Sequence, residues 1–239
     1  MSEAPAPPPA DPAQFSAERF RANVAALVGL GARAPGDDAS ERVRAWARAN
    51  APEPQADAVV ALIAPLAADG ASADALAEAS SGAALVVEAA RALAAQGAAP
   101  LVDVFDARAP ASPVLASAAV AIYVPRACAL PARRDLLSHR VLRERFFDLA
   151  GAEAGSAGFE QSDAPHAALL AAGARRVVVL DAPRANGAEC ASQRFGDALV
   201  RFVRDVSALL TRGSARPMNA SPAPASQPTH GVFAPQEKS

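Results

Sequence analysis

Two segments of the chain pass from an apolar run into Asp-Ala, with an arginine close behind. Asp106 and Arg108 follow the first run at residues 101–105, and Asp181 and Arg184 follow the second at 177–180. In an open α/β sheet, ligands bind beyond the carboxyl ends of the strands. A carboxylate there can hold a ribose hydroxyl, coordinate Mg²⁺ or act as a base, and an arginine can bind a phosphate. These four residues are the candidate ligand-binding residues.

The repeated pattern also has an ordinary explanation, which we favour: Asp and Pro at strand ends are turn residues that cap the next element. The glycine loops that cradle phosphates are missing from the sequence. No G-x-G-x-x-G follows a strand, and the only lysine is Lys238, near the end of the chain, which excludes a P-loop. We therefore predict no cofactor.

Histidine and cysteine give little support for a metal or a catalytic triad. His139 and His166 are far apart in sequence, and neither lies at zinc-ligand spacing from a cysteine, so we predict no metal. A triad of Ser138 or Ser156 with a histidine and Asp181 would lack the G-x-S-x-G elbow. We interpret His166 as a neutral ring facing solvent.

Cys128 and Cys190 are the only cysteines. We interpret them as buried free thiols, since a single bridge cannot be argued from sequence alone. The N-terminus has neither a basic region nor an apolar core of the kind that a secretory signal needs, which favours the cytoplasm.

One stretch of the chain is dense in arginine. Its basic residues could bind phosphate, RNA or an acidic partner, although a solvated face with helix ion pairs is the simpler interpretation. The candidate partner-binding residues are Arg133, Arg134, Arg140, Arg143 and Arg145.

The first half of the chain is typical of helices. Apolar residues recur at helical spacing. We expect helices at 16–30 and 56–64, and between them a helix capped at Asp38. A broken or continuous pair of helices follows over 73–79 and 83–96.

From residue 99 the periodicity changes to short apolar runs. Residues 101–105, 119–124 and 177–180 read as strands, and 193–210 reads as a helix with one apolar stripe. Between 133 and 150, apolar doublets recur every five residues, which indicates either a helix sandwiched between layers or a break near Ser138-His139. We favour the sandwiched helix.

Together these segments predict an α/β (or α+β) fold. A helical region, 15–98, precedes a small, mostly parallel sheet of about three or more helix-covered strands at 99–212, and we expect the two regions to form one compact domain. Proline-rich and alanine-rich segments, 1–14 and 213–239, are expected to be disordered because they hold few large apolar groups.

Composition excludes several function classes. The formal net charge is −2 and aromatic residues make up 5% of the chain, which disfavours nucleic-acid binding. No apolar run is long enough for a transmembrane helix. We predict a non-catalytic intracellular interaction or assembly module with a protein partner or a homo-oligomer. The alternative is a small α/β enzyme or nucleotide-binding domain, including a diverged inactive one, with its site near Asp106 and Asp181.

Overall fold

The structure is a computed structural model. It describes residues 11–34, 36–66, 72–105, 113–128, 133–151, 159–160, 166–183 and 193–214. Both expected disordered tails lie largely outside these ranges and stay predictions.

A six-stranded sheet forms the centre of the molecule, in the order β2-β1-β3-β6-β4-β5. Its strands are β1 (Val60–Pro65), β2 (Leu101–Phe105), β3 (Val120–Tyr123), β4 (Arg133–Asp135), β5 (Phe159–Glu160) and β6 (Val177–Asp181). The four strands β2, β1, β3 and β6 are parallel, whereas β4 pairs antiparallel with β6. The predicted fold class is therefore confirmed.

Seven helices accompany the sheet within the described ranges. They are α1 (Ala17–Gly29), α2 (Asp38–Asn50), α3 (Ala73–Ala95), α4 (Pro113–Ser117), α5 (Arg140–Ala150), α6 (His166–Ala171) and α7 (Gln193–Ser214). None of these helices is long and apolar enough to cross a membrane.

The strands bury both of their faces. On β1, Leu62 packs into a cluster with side chains of α1, α3, α5 and α7, whereas Ile63 packs into a second cluster with α4 and α6. The first cluster centres on Phe146, whose ring makes edge contacts at 5.5–5.6 Å with three other phenylalanines. A sheet covered on both faces explains why its strands read as continuous apolar runs.

The chain reverses direction across the sheet between β1 and β3. It passes from β1 through α3 to β2 on one side, and then crosses to β3 on the other side of β1. In open α/β sheets such a reversal opens a crevice at the carboxyl ends of the two strands, where ligands bind.

The helix predicted over 56–64 is wrong, because residues 60–65 form β1, a central strand. A short apolar run fits a buried strand and a buried helix equally well, and Pro65 ends either one. The neighbouring predictions for α1 and α3 are confirmed, and α3 is continuous through Ser80-Ser81-Gly82. The cap of α2 is Asp37 rather than Asp38, since the Asp37 carboxylate accepts from Ser40 N at 2.7 Å.

The sandwiched helix over 133–150 is also wrong. Residues 133–135 form β4, and α5 begins only at Arg140. Leu136, Leu137 and Val141 are exposed, while Phe146 and Phe147 are buried. The first doublet lies in the turn before α5, and of the two doublets within α5 only Phe146-Phe147 faces the core with both side chains.

Candidate functional site

A cluster of charged side chains lies at the carboxyl ends of β3 and β6. Asp181 is the last residue of β6 and is buried, and Arg126 follows the end of β3. The guanidinium donates to both carboxylate oxygens, with Nε 2.8 Å from Oδ1 and Nη2 2.5 Å from Oδ2. This two-point geometry fixes the orientation of both side chains, because a planar guanidinium matches a planar carboxylate.

Glu78 brings a second carboxylate to the same guanidinium. Its Oε1 atom lies 3.5 Å from Arg126 Nη1. The helix that carries Glu78, α3, lies very close to the end of β3, where a Cβ on Gly82 would lie 2.0 Å from the carbonyl oxygen of Val124. Only glycine permits this approach, so Gly82 positions Glu78 over the strand end.

Tyr123 is a fourth ionisable group, beside Asp181, Arg126 and Glu78. It is the last residue of β3 and is almost fully buried. Burial first, and then the negative charge of Asp181, raises the pKa of the phenol above its usual range. The hydroxyl therefore stays protonated at neutral pH and keeps its capacity to donate a hydrogen bond.

Backbone hydrogen bonds hold the segment that carries Arg126. Ala182 N donates to Arg126 O at 3.0 Å, and Cys128 N donates to Ala182 O at 2.8 Å. Ala127 N donates to the buried Ser81 hydroxyl of α3 at 2.8 Å. The cluster thus stands on rigid elements rather than on a free loop.

Cys128 is buried beside this cluster, and it is disulfide-bonded rather than a free thiol. The sequence offers only Cys190 as its partner, and that residue lies outside the described ranges. Spacing gave no signal, because the separation of two cysteines in sequence does not tell whether they meet in the fold.

A buried arginine lies just beyond the end of β1. Arg33 is 2% exposed, and it donates to Leu66 O at 2.8 Å and to Ser80 Oγ at 3.1 Å. Burial lowers the pKa of its guanidinium, and the charge of Asp37 partly opposes this effect. Arg33 ties the end of β1 to α3, which is a structural role.

A second polar cluster joins β4, α6 and β6. His166 is buried, and its Nε2 lies 2.9 Å from Asp135 Oδ2, so the prediction of a solvent-facing ring is wrong. Ser138 Oγ donates to the same Asp135 oxygen at 2.8 Å and accepts from Val179 N. The carboxylate stands between serine and imidazole, whereas a hydrolase triad needs the imidazole in the middle. These contacts connect three elements and do not form a triad.

The arginine-rich stretch is largely engaged inside the molecule. Arg143 is buried and donates to Asp135 O, and Arg145 pairs with Asp205 at 2.6 Å. Arg134 stacks over the Phe147 ring at 4.6 Å. Arg140 is exposed, and the side chain of Arg133 lies outside the described part of the structure. A partner-binding role for this stretch stays a prediction.

Of the four predicted ligand-binding residues, the structure describes only Asp181. Asp106, Arg108 and Arg184 lie outside the described ranges. Sequence reasoning missed Arg126, Glu78 and Tyr123. The one available signal was the position of Pro125-Arg126 directly after an apolar strand, which places an arginine at the same edge as Asp181.

A cleft of about 320 Å³ lies elsewhere, between α2, β2 and α4. Its lining includes Arg44, Arg48 and Asp103. It is at the outer edge of the sheet, away from the reversal between β1 and β3, so we place the candidate site at Arg126 and Asp181. Within the described ranges, no three His, Cys, Asp or Glu side chains form a group that could hold a metal ion.

Comparison with known proteins finds similarity in structure only. No family model and no curated sequence matches the chain. The fold is similar to that of a glutaminyl cyclase from an Acidobacteriales bacterium, with a TM-score of 0.57 and 14% identity over 87% of this chain and 100% of that chain.

Two further solved structures share the fold. A Zn-dependent exopeptidase from Parabacteroides distasonis has a TM-score of 0.54 at 15% identity, over 81% of this chain and 98% of that one. The glutaminyl cyclase of Porphyromonas gingivalis has a TM-score of 0.54 at 15% identity, over 80% and 99% of the two chains. At such identities the likeness shows the fold.

These neighbours overturn the prediction of a non-catalytic interaction module. The prediction rested on amphipathic helices and on the lack of a complete catalytic motif. Helices of this kind cover the sheet of an enzyme fold equally well, and a site assembled from separate strand ends leaves no contiguous motif.

Proposed function

We propose that the protein is an enzyme that acts on an amide carbonyl close to the free amino terminus of a peptide, with its site at the carboxyl ends of β1, β3 and β6. The observation that carries this proposal is the cluster of Glu78, Arg126 and Asp181 at the reversal of the sheet. The fold it shares with glutaminyl cyclases and an exopeptidase supports the substrate class.

The residues of the cluster suit this chemistry. Glu78 is partly exposed, and its carboxylate can bind the substrate ammonium group and accept a proton from it. The Arg126 guanidinium places a fixed positive charge where an oxyanion would form on the attacked carbonyl. Asp181 holds that guanidinium in place, so Asp181 is a positioning residue.

Two reactions fit this arrangement. In cyclisation, the terminal amine of a glutamine attacks its own side-chain amide and releases ammonia. In exopeptidase cleavage, water attacks the first peptide carbonyl and releases the terminal residue. Both reactions form a bond to an amide carbon, break its C–N bond and return a proton to the leaving amine.

The test uses the purified full chain and two panels of peptides. Mass spectrometry reports loss of ammonia from peptides that begin with glutamine, and release of the first residue from the others. We expect turnover in one panel and a loss of at least about 100-fold in kcat/KM for Glu78→Gln. Asp205→Asn removes a carboxylate from a surface pair and serves as the control. Absence of turnover in both panels contradicts the proposal.

The zinc ion named for one neighbour does not fit the described residues of this chain. A catalytic zinc site takes three protein ligands. Here two carboxylates share one arginine, and the imidazole of His166 is bound to Asp135. We derive no catalytic step through a metal.

The cytoplasmic location stays a prediction. The disulfide at Cys128 argues against it, because disulfides persist in oxidising compartments and are rare in the cytosol. Fractionation of the source cells, with detection of the full chain, is the direct test.

A homo-oligomer or protein partner also stays a prediction. Three exposed apolar side chains, Leu136 and Leu137 in the turn before α5 and Val141 in its first turn, would suit a contact between copies. Light scattering during size-exclusion chromatography measures the mass in solution, and a monomer at all concentrations contradicts the homo-oligomer.

A further inference from the structure

The carboxyl edge of the sheet brings negatively charged side chains together, and a cation must offset their charge. Glu78 and Asp181 bring two negative charges to one place, and Asp181 is buried. Buried carboxylates need a nearby cation, because the cost of removing them from water is otherwise large. In an enzyme with a metal, the ion supplies that charge.

Arg126 is the cation that the structure places between these two carboxylates. Its Nε and Nη2 atoms bind the two oxygens of Asp181, and Nη1 faces Glu78 Oε1 at 3.5 Å. A guanidinium stays protonated at any pH at which the protein is folded, so this charge is permanent. The carboxylate oxygens that could ligate a metal therefore already have a partner.

The backbone fixes this arrangement. Arg126 lies between Pro125 and Ala127, and the amide of Ala127 is bound to Ser81 of α3, one turn beyond Glu78. The carbonyl oxygen of Arg126 accepts from Ala182, the residue after Asp181. The strand end that supplies the cation is thus hydrogen-bonded to both elements that supply the carboxylates.

The imidazole of His166 is bound to a different carboxylate, that of Asp135. β4 places Arg133 opposite Asp181, so Asp135 and its partner His166 lie toward the amino end of β6. Completing a zinc site at Asp181 from the described residues would require displacing Arg126.

We propose that the Arg126 guanidinium is the resident cation of this site, bound between Glu78 and Asp181 in the place of a divalent metal, and that the site holds no zinc. The inference rests on the proposed function for the location of the site. It separates this chain from the metal-dependent neighbour that shares its fold.

The test measures metal binding on the full chain, with Zn²⁺ alone as the probe. The protein is incubated with excess zinc chloride and desalted, and its zinc content is measured by mass spectrometry of the elements and by calorimetry. We expect well below one equivalent in the wild type. Arg126→Met frees both carboxylates, and we expect it to bind Zn²⁺ or Mn²⁺ at least about tenfold more tightly than the wild type.

Arg145→Met is the matched control, since it removes an arginine from the surface pair with Asp205, and we expect wild-type metal binding. One tightly bound zinc equivalent in the wild type overturns the inference, and so does an Arg126→Met variant that folds but gains no affinity. If that variant does not fold, the wild-type zinc content decides by itself.

The two proposals fail in different ways. A zinc-free protein that converts none of the peptides contradicts the proposed function and leaves the metal inference standing. A zinc-bound protein that is active on peptides contradicts the metal inference alone.

Discussion

The two halves of α3 each carry a carboxylate that binds arginine, and they bind it differently. In the far half, residues 83–95, Glu88 is 1% exposed and pairs with both Arg19 and Arg91. It also accepts from Ser16 N at 2.9 Å. In the site half, residues 73–82, Glu78 and Asp181 both bind Arg126.

The difference teaches which half is built for stability. The Glu88 carboxylate has two arginines and a backbone N–H as partners, so its hydrogen-bonding capacity is satisfied. Through these contacts Glu88 joins the N-terminal segment and α1 to α3. The hydrogen bond to Glu88 raises the pKa of the Arg91 guanidinium above its usual value. Glu78 and Asp181 instead lie with Arg126 at the carboxyl edge of the sheet, where ligands bind in open α/β folds. Substitutions should therefore lower stability in the far half and activity in the site half.

We expect the largest loss of stability from Glu88→Gln. The substitution leaves Arg19 and Arg91 without their carboxylate. Both arginines are about one-third exposed, which reduces the loss, so we expect the free energy of unfolding to fall by about 3 kcal/mol. Urea unfolding followed by circular dichroism measures it.

Glu41→Gln is the control for this change, because Glu41 pairs with Arg44 at the surface of α2. Its effect should stay within about 0.5 kcal/mol. Turnover per folded molecule should be unchanged in Glu88→Gln. A catalytic loss without a loss of stability would contradict the division between the two halves.

The sequence revealed some of these features and hid others for physical reasons. The stripe of α7 and the apolar run of β6 were long and regular enough to be assigned, and Asp181 was found because it ends that run. β1 was assigned as a helix because a six-residue apolar segment has no distinctive period. Arg126 stands alone in sequence and meets Glu78 only when α3 packs against β3 across Gly82, which no local pattern records.

Removing the disulfide at Cys128 tests whether the stability of the site half depends on a covalent link. We expect Cys128→Ala and Cys190→Ala each to lower stability by about 2–3 kcal/mol, because both release the same closed loop in the unfolded chain. Thermal unfolding with and without a dithiol reductant measures this loss. A reductant effect that persists in either variant would contradict a bond between these two residues.

Gly82→Ala tests the close approach of the site half to β3. The added Cβ would meet the carbonyl oxygens of Val124 and Pro125 at 2.0 and 2.8 Å, and both are backbone atoms. We expect a loss of about 2 kcal/mol and a drop in peptide turnover, because α3 must move Glu78 away from Arg126. Denaturant unfolding and the peptide assay measure the two effects.

Gly29→Ala is the matched control, since it also lies in a helix and its Cβ would meet nothing within 4 Å. Alanine favours the helix at that position, so stability should stay equal or rise slightly. Similar losses in both variants would show that the packing against β3 does not restrict Gly82.

We expect the smallest effect on stability at Asp37, which lies outside both halves of α3. Its carboxylate caps the amino end of α2. Its carboxylate accepts from Ala34 N at 2.8 Å and from Ser40 N at 2.7 Å, and these backbone hydrogen bonds lower the pKa of Asp37. A lowered pKa in the folded state means that ionised Asp37 stabilises the fold at neutral pH, and that this contribution is lost as the pH falls through the folded-state value.

Asp37→Asn should therefore be slightly less stable than the wild type at pH 7 and should approach it in acid. Thermal unfolding of both proteins across the acid range measures the difference, which should shrink below the usual pKa of an aspartate. A difference that stays constant with pH would mean that the hydrogen bonds, which asparagine can also accept, stabilise α2 without help from the charge.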